Sequence, residues 1–106
     1  MTIFDGYDFD GPVGIDSLPG SSGVYIITTQ ASGGIKILGV YAAKDMHQSS
    51  IDNPKRTCWQ KNRKDTDPEA YFILTDDDVI KSRICDSIIT RRYYRIECND
   101  PIKDDF

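Results

Sequence analysis

The sequence predicts an α+β domain built on a small three-stranded antiparallel sheet flanked by helices. Three observations lead there. Two β-branched, apolar runs, residues 24–29 and 35–42, are joined across the glycine-rich Ala31-Ser32-Gly33-Gly34. A third apolar run of strand length, Ala70-Tyr71-Phe72-Ile73-Leu74, stands apart from them. Directly after it, three aspartates introduce a stretch in which isoleucines recur every four residues, the spacing of one helix face.

Each element has a local reason. Residues 1–22 are rich in Asp, Gly, Pro and Ser, and read as an acidic arm that docks Phe4, Tyr7, Phe9, Val13 and Ile15 onto a core. Pro19-Gly20-Ser21-Ser22 is a turn signal that releases the chain into the first strand. The glycines at 33 and 34 supply a tight reversal, so the first two strands form an antiparallel hairpin. Residues 44–51 then read as one or two helical turns, with Asp45 or Ser49 as cap. Asn53-Pro54 interrupts them, because proline disfavours the α region in the residue before it. A helix resumes over residues 54–64, with Pro54 in its first turn.

After the third strand, Thr75 and Asp78 stand as a capping pair, and the aspartates favour the positive end of the helix dipole. The helix is expected to run to about Tyr93, burying Ile80, Ile84 and Ile88 and ending among Arg91, Arg92 and Arg95. Residues 95–98 read as a short final strand or extended tail.

The 106 residues suffice for one domain and not for two, so the expectation is a single domain over 1–106: the arm to 22, a core over 23–98 and an acidic tail over 99–106. An apolar content of 39% with 28% charged residues is ordinary for a globular chain, which excludes wholesale disorder and fibrous classes. No apolar run is long enough to span a bilayer and no signal-like segment opens the chain. The expected location is therefore cytoplasmic, with no membrane partner. Cys58, Cys85 and Cys98 are odd in number and widely spaced, and read as reduced thiols.

The net charge of −4 is unevenly distributed. Residues 1–34 hold four aspartates and no Lys or Arg, whereas residues 44–64 set six basic side chains against two acidic ones. A basic face is thus expected on an acidic protein. The overall charge opposes tight binding to a polyanion, because that attraction grows with the number of phosphates neutralised.

Gly23-Val24-Tyr25, followed after eleven residues by Ile37-Leu38-Gly39, resembles the paired strand motifs of the GIY-YIG nuclease family, and the order of elements is similar to that family's. Ile37 stands at the place of the second tyrosine. Tyr41 supplies that tyrosine if the hairpin is longer, in which case Ala43 replaces the glycine. The resemblance implies Mg²⁺-dependent hydrolysis of nucleic acid, in which Tyr25 orients water, Lys44, His47 or Arg56 contacts the scissile phosphate, and Asp86 stands in the metal-binding position where relatives carry glutamate. Trp59 among Arg56, Lys61 and Arg63 is either a stacking platform for a base or a packing anchor. The alternative function is a catalytically inactive scaffold, an inhibitor, decoy or adaptor that sets its acidic ends against a basic protein partner. Binding to nucleic acid without cleavage is the third reading. Oligomeric state is left open.

Overall fold

The computed structural model describes residues 2–92 and 96–98. Its class is α+β, and the sheet has five antiparallel strands instead of the expected three. In chain order these are β1 (Thr2–Phe4), β2 (Tyr7–Gly14), β3 (Gly23–Ala31), β4 (Gly34–Ala43) and β5 (Glu69–Leu74). The helices are α1 (Met46–Asp52), α2 (Arg56–Lys61) and α3 (Asp78–Arg92), and a single 3₁₀ turn spans Ile15–Ser17. Across the sheet the order is β1-β2-β5-β3-β4.

The two additional strands come from the segment read as an arm. Phe4 pairs with Tyr7 across Asp5-Gly6, both of which have positive φ (52° and 88°). That conformation defines the two-residue turns whose twist matches a hairpin, and Asp-Gly is among the sequences that favour it. Tyr7-Asp8-Phe9-Asp10 alternates apolar and polar residues as a half-buried strand does. Only four residues of the segment carry this signal, and Gly11-Pro12 interrupts the pairing with β5 between Asp10 and Val13.

Strand alternation divides the interior into two cores, one on each face of the sheet. Val24 and Ile26 point into the first, with Phe4, Phe9, Tyr71 and, from α3, Ile84 and Ile88. Phe4 lies edge-on to Phe9 and Tyr71, at centroid distances of 5.5 and 5.1 Å. Tyr25 and Ile27 point into the second core, with Leu38, Met46 of α1 and Trp59 of α2. The sheet is therefore a partition, with α3 on one side and α1 and α2 on the other.

The ends of α1 follow the sequence closely. Asp45 caps it by accepting from the Gln48 N–H at 3.0 Å, and Asn53 ends it before Pro54. In α3 the cap is Asp77, whose carboxylate accepts from the N–H groups of Val79 and Ile80 at 2.8 and 3.1 Å, while Thr75 accepts from Asp77 N–H. The buried stripe of α3 also departs from expectation: Ile84 and Ile88 are buried, but Ile80 is 42% exposed and Lys81 takes the inward position. Its ammonium donates to Ser22 Oγ at 2.9 Å and to the Ala43 carbonyl at 3.5 Å, and pairs with Asp78 at 3.1 Å. All three ammonium donors are thereby used, which is how a lysine is tolerated inside. The expected helix end at Tyr93, the side chains of Arg92 and Arg95, and the tail 99–106 lie outside the described residues.

The cysteines require a second correction. Cys58 and Cys98 form a disulfide across a sequence separation of 40, and Cys85 is the free thiol. The segment Ile96–Cys98 folds back along the outer edge of β4. Cys98 N–H donates to the Leu38 carbonyl at 2.9 Å, Glu97 pairs with Lys36 at 2.7 Å, and Ile96 enters the first core. This return of the chain brings the two sulfurs together, and nothing in their spacing announces it. No helix among the described residues is long and apolar enough to cross a membrane.

Candidate functional site

Tyr25 stands at the centre of the residues singled out by the sequence. Gly23 lets β3 enter between its neighbours, because a Cβ there would run into the Ile73 carbonyl of β5. The glycine of the first motif is thus explained by close backbone approach. Two residues on, Tyr25 is fully buried in the second core. Its hydroxyl shares a hydrogen bond of 2.8 Å with Ser49 Oγ and accepts from Asn53 Nδ2 at 3.1 Å. Burial pushes the phenol above its ordinary pKa, while the bonds to Ser49 and Asn53 and the charge of Arg56 pull the other way.

The aromatic neighbour of Tyr25 across the hairpin is Tyr41. It lies directly opposite Tyr25 in the β3–β4 register, with ring centroids 5.3 Å apart. A register shift at Leu38 turns Ile37 to the other face, where it joins the first core. Gly39 leaves room for the Tyr41 ring, which a Cβ at that position would strike. Trp59 completes the group 5.8 Å from Tyr41, and its indole N–H donates to the Tyr41 hydroxyl at 3.0 Å. Arg56 lies over the indole at 5.7 Å and donates to the Ser50 carbonyl. Trp59 is 1% exposed, so its ring is the packing anchor of α2 and presents no face to a base.

Asp86 is elsewhere. It lies on the exposed side of α3, in a shallow groove that also includes Ser82, Arg83, Ser87, Thr90 and Arg91. Because α3 covers the first core and Tyr25 points into the second, the sheet separates the two groups. Around Asp86 the charged neighbours are two guanidinium groups, with no second carboxylate in the groove. A divalent ion held by hard oxygen ligands would meet repulsion there instead of charge balance. The residues present do not fit a magnesium site, and among the described residues no three His, Cys, Asp or Glu side chains converge on a common point.

The remaining residues form no cluster with Asp86. Lys44 is exposed between β4 and α1, and His47, in the first turn of α1, uses its backbone N–H on the Pro19 carbonyl at 3.1 Å. Lys61 is exposed at the end of α2, and Arg63 pairs with Asp67 at 2.7 Å. The structure therefore gathers Tyr25, Arg56 and Trp59 on the α1–α2 side and leaves Asp86 on the other. The phenol's partners, Ser49 and Asn53, lie 24 and 28 residues along the chain, and no local pattern marks them.

Comparison of the chain with family models, curated proteins and solved structures returns no match.

Proposed function

We propose that this chain works by recognition, as a domain with GIY-YIG-like element order that binds a protein partner and does not cut nucleic acid. The observation that carries the reading is the separation of Tyr25 from Asp86 by the sheet. Phosphodiester hydrolysis needs a positioned water, a base and a cation at one phosphate, and misplacement by about 1 Å can cost on the order of 100-fold in rate. Here the phenol is enclosed and hydrogen-bonded within the protein, while the carboxylate faces solvent across a layer of backbone. The acidic balance of the chain further supports a cationic partner over a polyanion.

The test is incubation of labelled DNA and RNA with the protein, with and without Mg²⁺, repeated with Tyr25→Phe and Asp86→Asn. The expected outcome is intact substrate in every lane and no salt-sensitive retention. Mg²⁺-dependent cleavage that Asp86→Asn abolishes would overturn the reading. Retention that falls steeply with salt and survives Asp86→Asn would replace it with nucleic-acid binding.

A further inference from the structure

The face of the sheet that bears Tyr25 is unevenly covered. Over β3 and β4 it is closed by α1 and by Trp59 of α2. Val13 of β2 and Ala70 of β5 are covered with Ile15 of the 3₁₀ turn and Leu18, and the remainder of the face, over β1 and the adjoining parts of β2 and β5, carries exposed side chains. Register places Ile3 opposite Asp8, Asp10 opposite Phe72, and Phe72 opposite Tyr25, so these side chains share the Tyr25 face. Leu74, two residues beyond Phe72, joins them by alternation. Ile3 is 68% and Leu74 56% exposed. Asp8 and Asp10 are exposed as well, and neither makes an ion pair among the described residues.

We infer that this open half-face is a docking surface for a cationic amphipathic helix of another protein, a deepening that rests on the recognition reading above. A helix suits the space, because a sheet face is ordinarily closed by a helix and the neighbouring half of this one already is. Apolar groups on that helix would cover Ile3, Phe72 and Leu74. Lysines or arginines beside them would meet Asp8 and Asp10, which an uncharged partner would strip of water without compensation.

Other occupants fit less well. A nucleic-acid backbone would be repelled by the two carboxylates. Residues 99–106 carry three aspartates against one lysine, and they follow Cys98, which is held at β4 on the opposite edge of the sheet. On a second copy, the outer side of α3 sets Arg83 and Arg91 among polar side chains, with Val79 and Ile80 as its exposed apolar groups. That is too narrow an apolar stripe to cover three large side chains.

The test uses a fluorescein-labelled synthetic helix of alternating leucine and lysine faces, and its counterpart with glutamate for lysine. Anisotropy is read with wild-type protein, with Asp8→Lys/Asp10→Lys and with Leu74→Ser, the fold of each variant being checked by thermal unfolding. Support consists of saturable binding of the lysine peptide, weakened at least tenfold in both variants and unchanged in Asp86→Asn, with amide NMR shifts confined to β1, β2 and β5. Equal binding by wild type and variants, preference for the glutamate peptide, shifts elsewhere, or self-association through the same residues would each overturn the inference. Cleavage of nucleic acid would sink the recognition reading itself. Absent cleavage together with absent peptide binding sinks only the docking surface.

Discussion

Tyr25 and Tyr41 face each other across β3 and β4, and each hydroxyl reaches a different helix: Tyr25 bonds Ser49 of α1, and Tyr41 accepts from Trp59 of α2. The pair thus joins the hairpin to both helices that cover it. Apolar ring bodies lie in the core while the polar tips are satisfied at its margin, the arrangement that makes a buried tyrosine favourable.

Removing the Tyr25 hydroxyl therefore registers as lost stability. Tyr25→Phe leaves Ser49 Oγ and Asn53 Nδ2 without that partner and should destabilise the fold by about 1–2 kcal/mol. Urea unfolding would show a lower midpoint at unchanged slope. An unchanged midpoint would mean that the phenol is free to do something other than hold α1.

Gly39→Ala tests the aromatic group from below. The added methyl meets the Tyr41 ring, which must move and carry its bond to Trp59 with it. A cost of about 1–3 kcal/mol is expected, as for other overpacked interiors. Trp59 is the only tryptophan, so its emission maximum should shift as well.

Lys81→Met removes a clamp at the start of α3. Ser22 Oγ and the Ala43 carbonyl lose a donor, and Asp78 loses its cation. A loss of about 1–3 kcal/mol is expected, since buried polar groups left unpaired carry a desolvation cost. Amide exchange should accelerate in the first turns of α3 before it does in β3.

Reduction of Cys58–Cys98, or Cys98→Ser, opens a loop closed across a sequence separation of 40. Chain-entropy reasoning gives a loss of about 4 kcal/mol. Exchange at the outer edge of β4 should rise with it, because Cys98 N–H is the partner of Leu38. A thermal midpoint indifferent to reductant would contradict this account.

Cys85 adds a dependence on alkaline pH. Burial, with a contribution from the Asp86 carboxylate, pushes its thiol up to about 11 from 9.0. The folded state then holds the proton more tightly than the unfolded state, so the associated stability is complete below about pH 9 and is lost as pH rises through 11. Two units correspond to on the order of 2–3 kcal/mol. Denaturation of Cys85→Ala across pH 8–11 should show a shallower fall than wild type, and thiol reagents should modify native Cys85 slowly at pH 8.

Much of the central architecture is legible in local pattern. The β3–β4 reversal, the strand at Ala70, the Asp45 cap and the break at Asn53-Pro54 each follow from a few adjacent residues whose preferences agree. The β1–β2 hairpin is written more faintly: Asp5-Gly6 and the alternation Tyr7-Asp8-Phe9-Asp10 are present, but glycine and proline nearby conceal a strand whose partner lies some sixty residues away. The inward Lys81 is legible only with Ser22 and Ala43 in place, because a cation is acceptable in a core position when distant acceptors reach it.

From its own order of residues the chain settles which segments extend and which coil, since backbone preference, capping and period act over a few neighbours. Folding alone settles on which side of the sheet each group stands and which sulfurs meet. Side-chain direction alternates with every residue of a strand, so one register shift at Leu38 sets Tyr41 instead of Val40 opposite Tyr25 and leaves Ile37 opposite Thr28. A partition built from such alternation puts Asp86 beyond Tyr25's reach, however suggestive their spacing in the sequence.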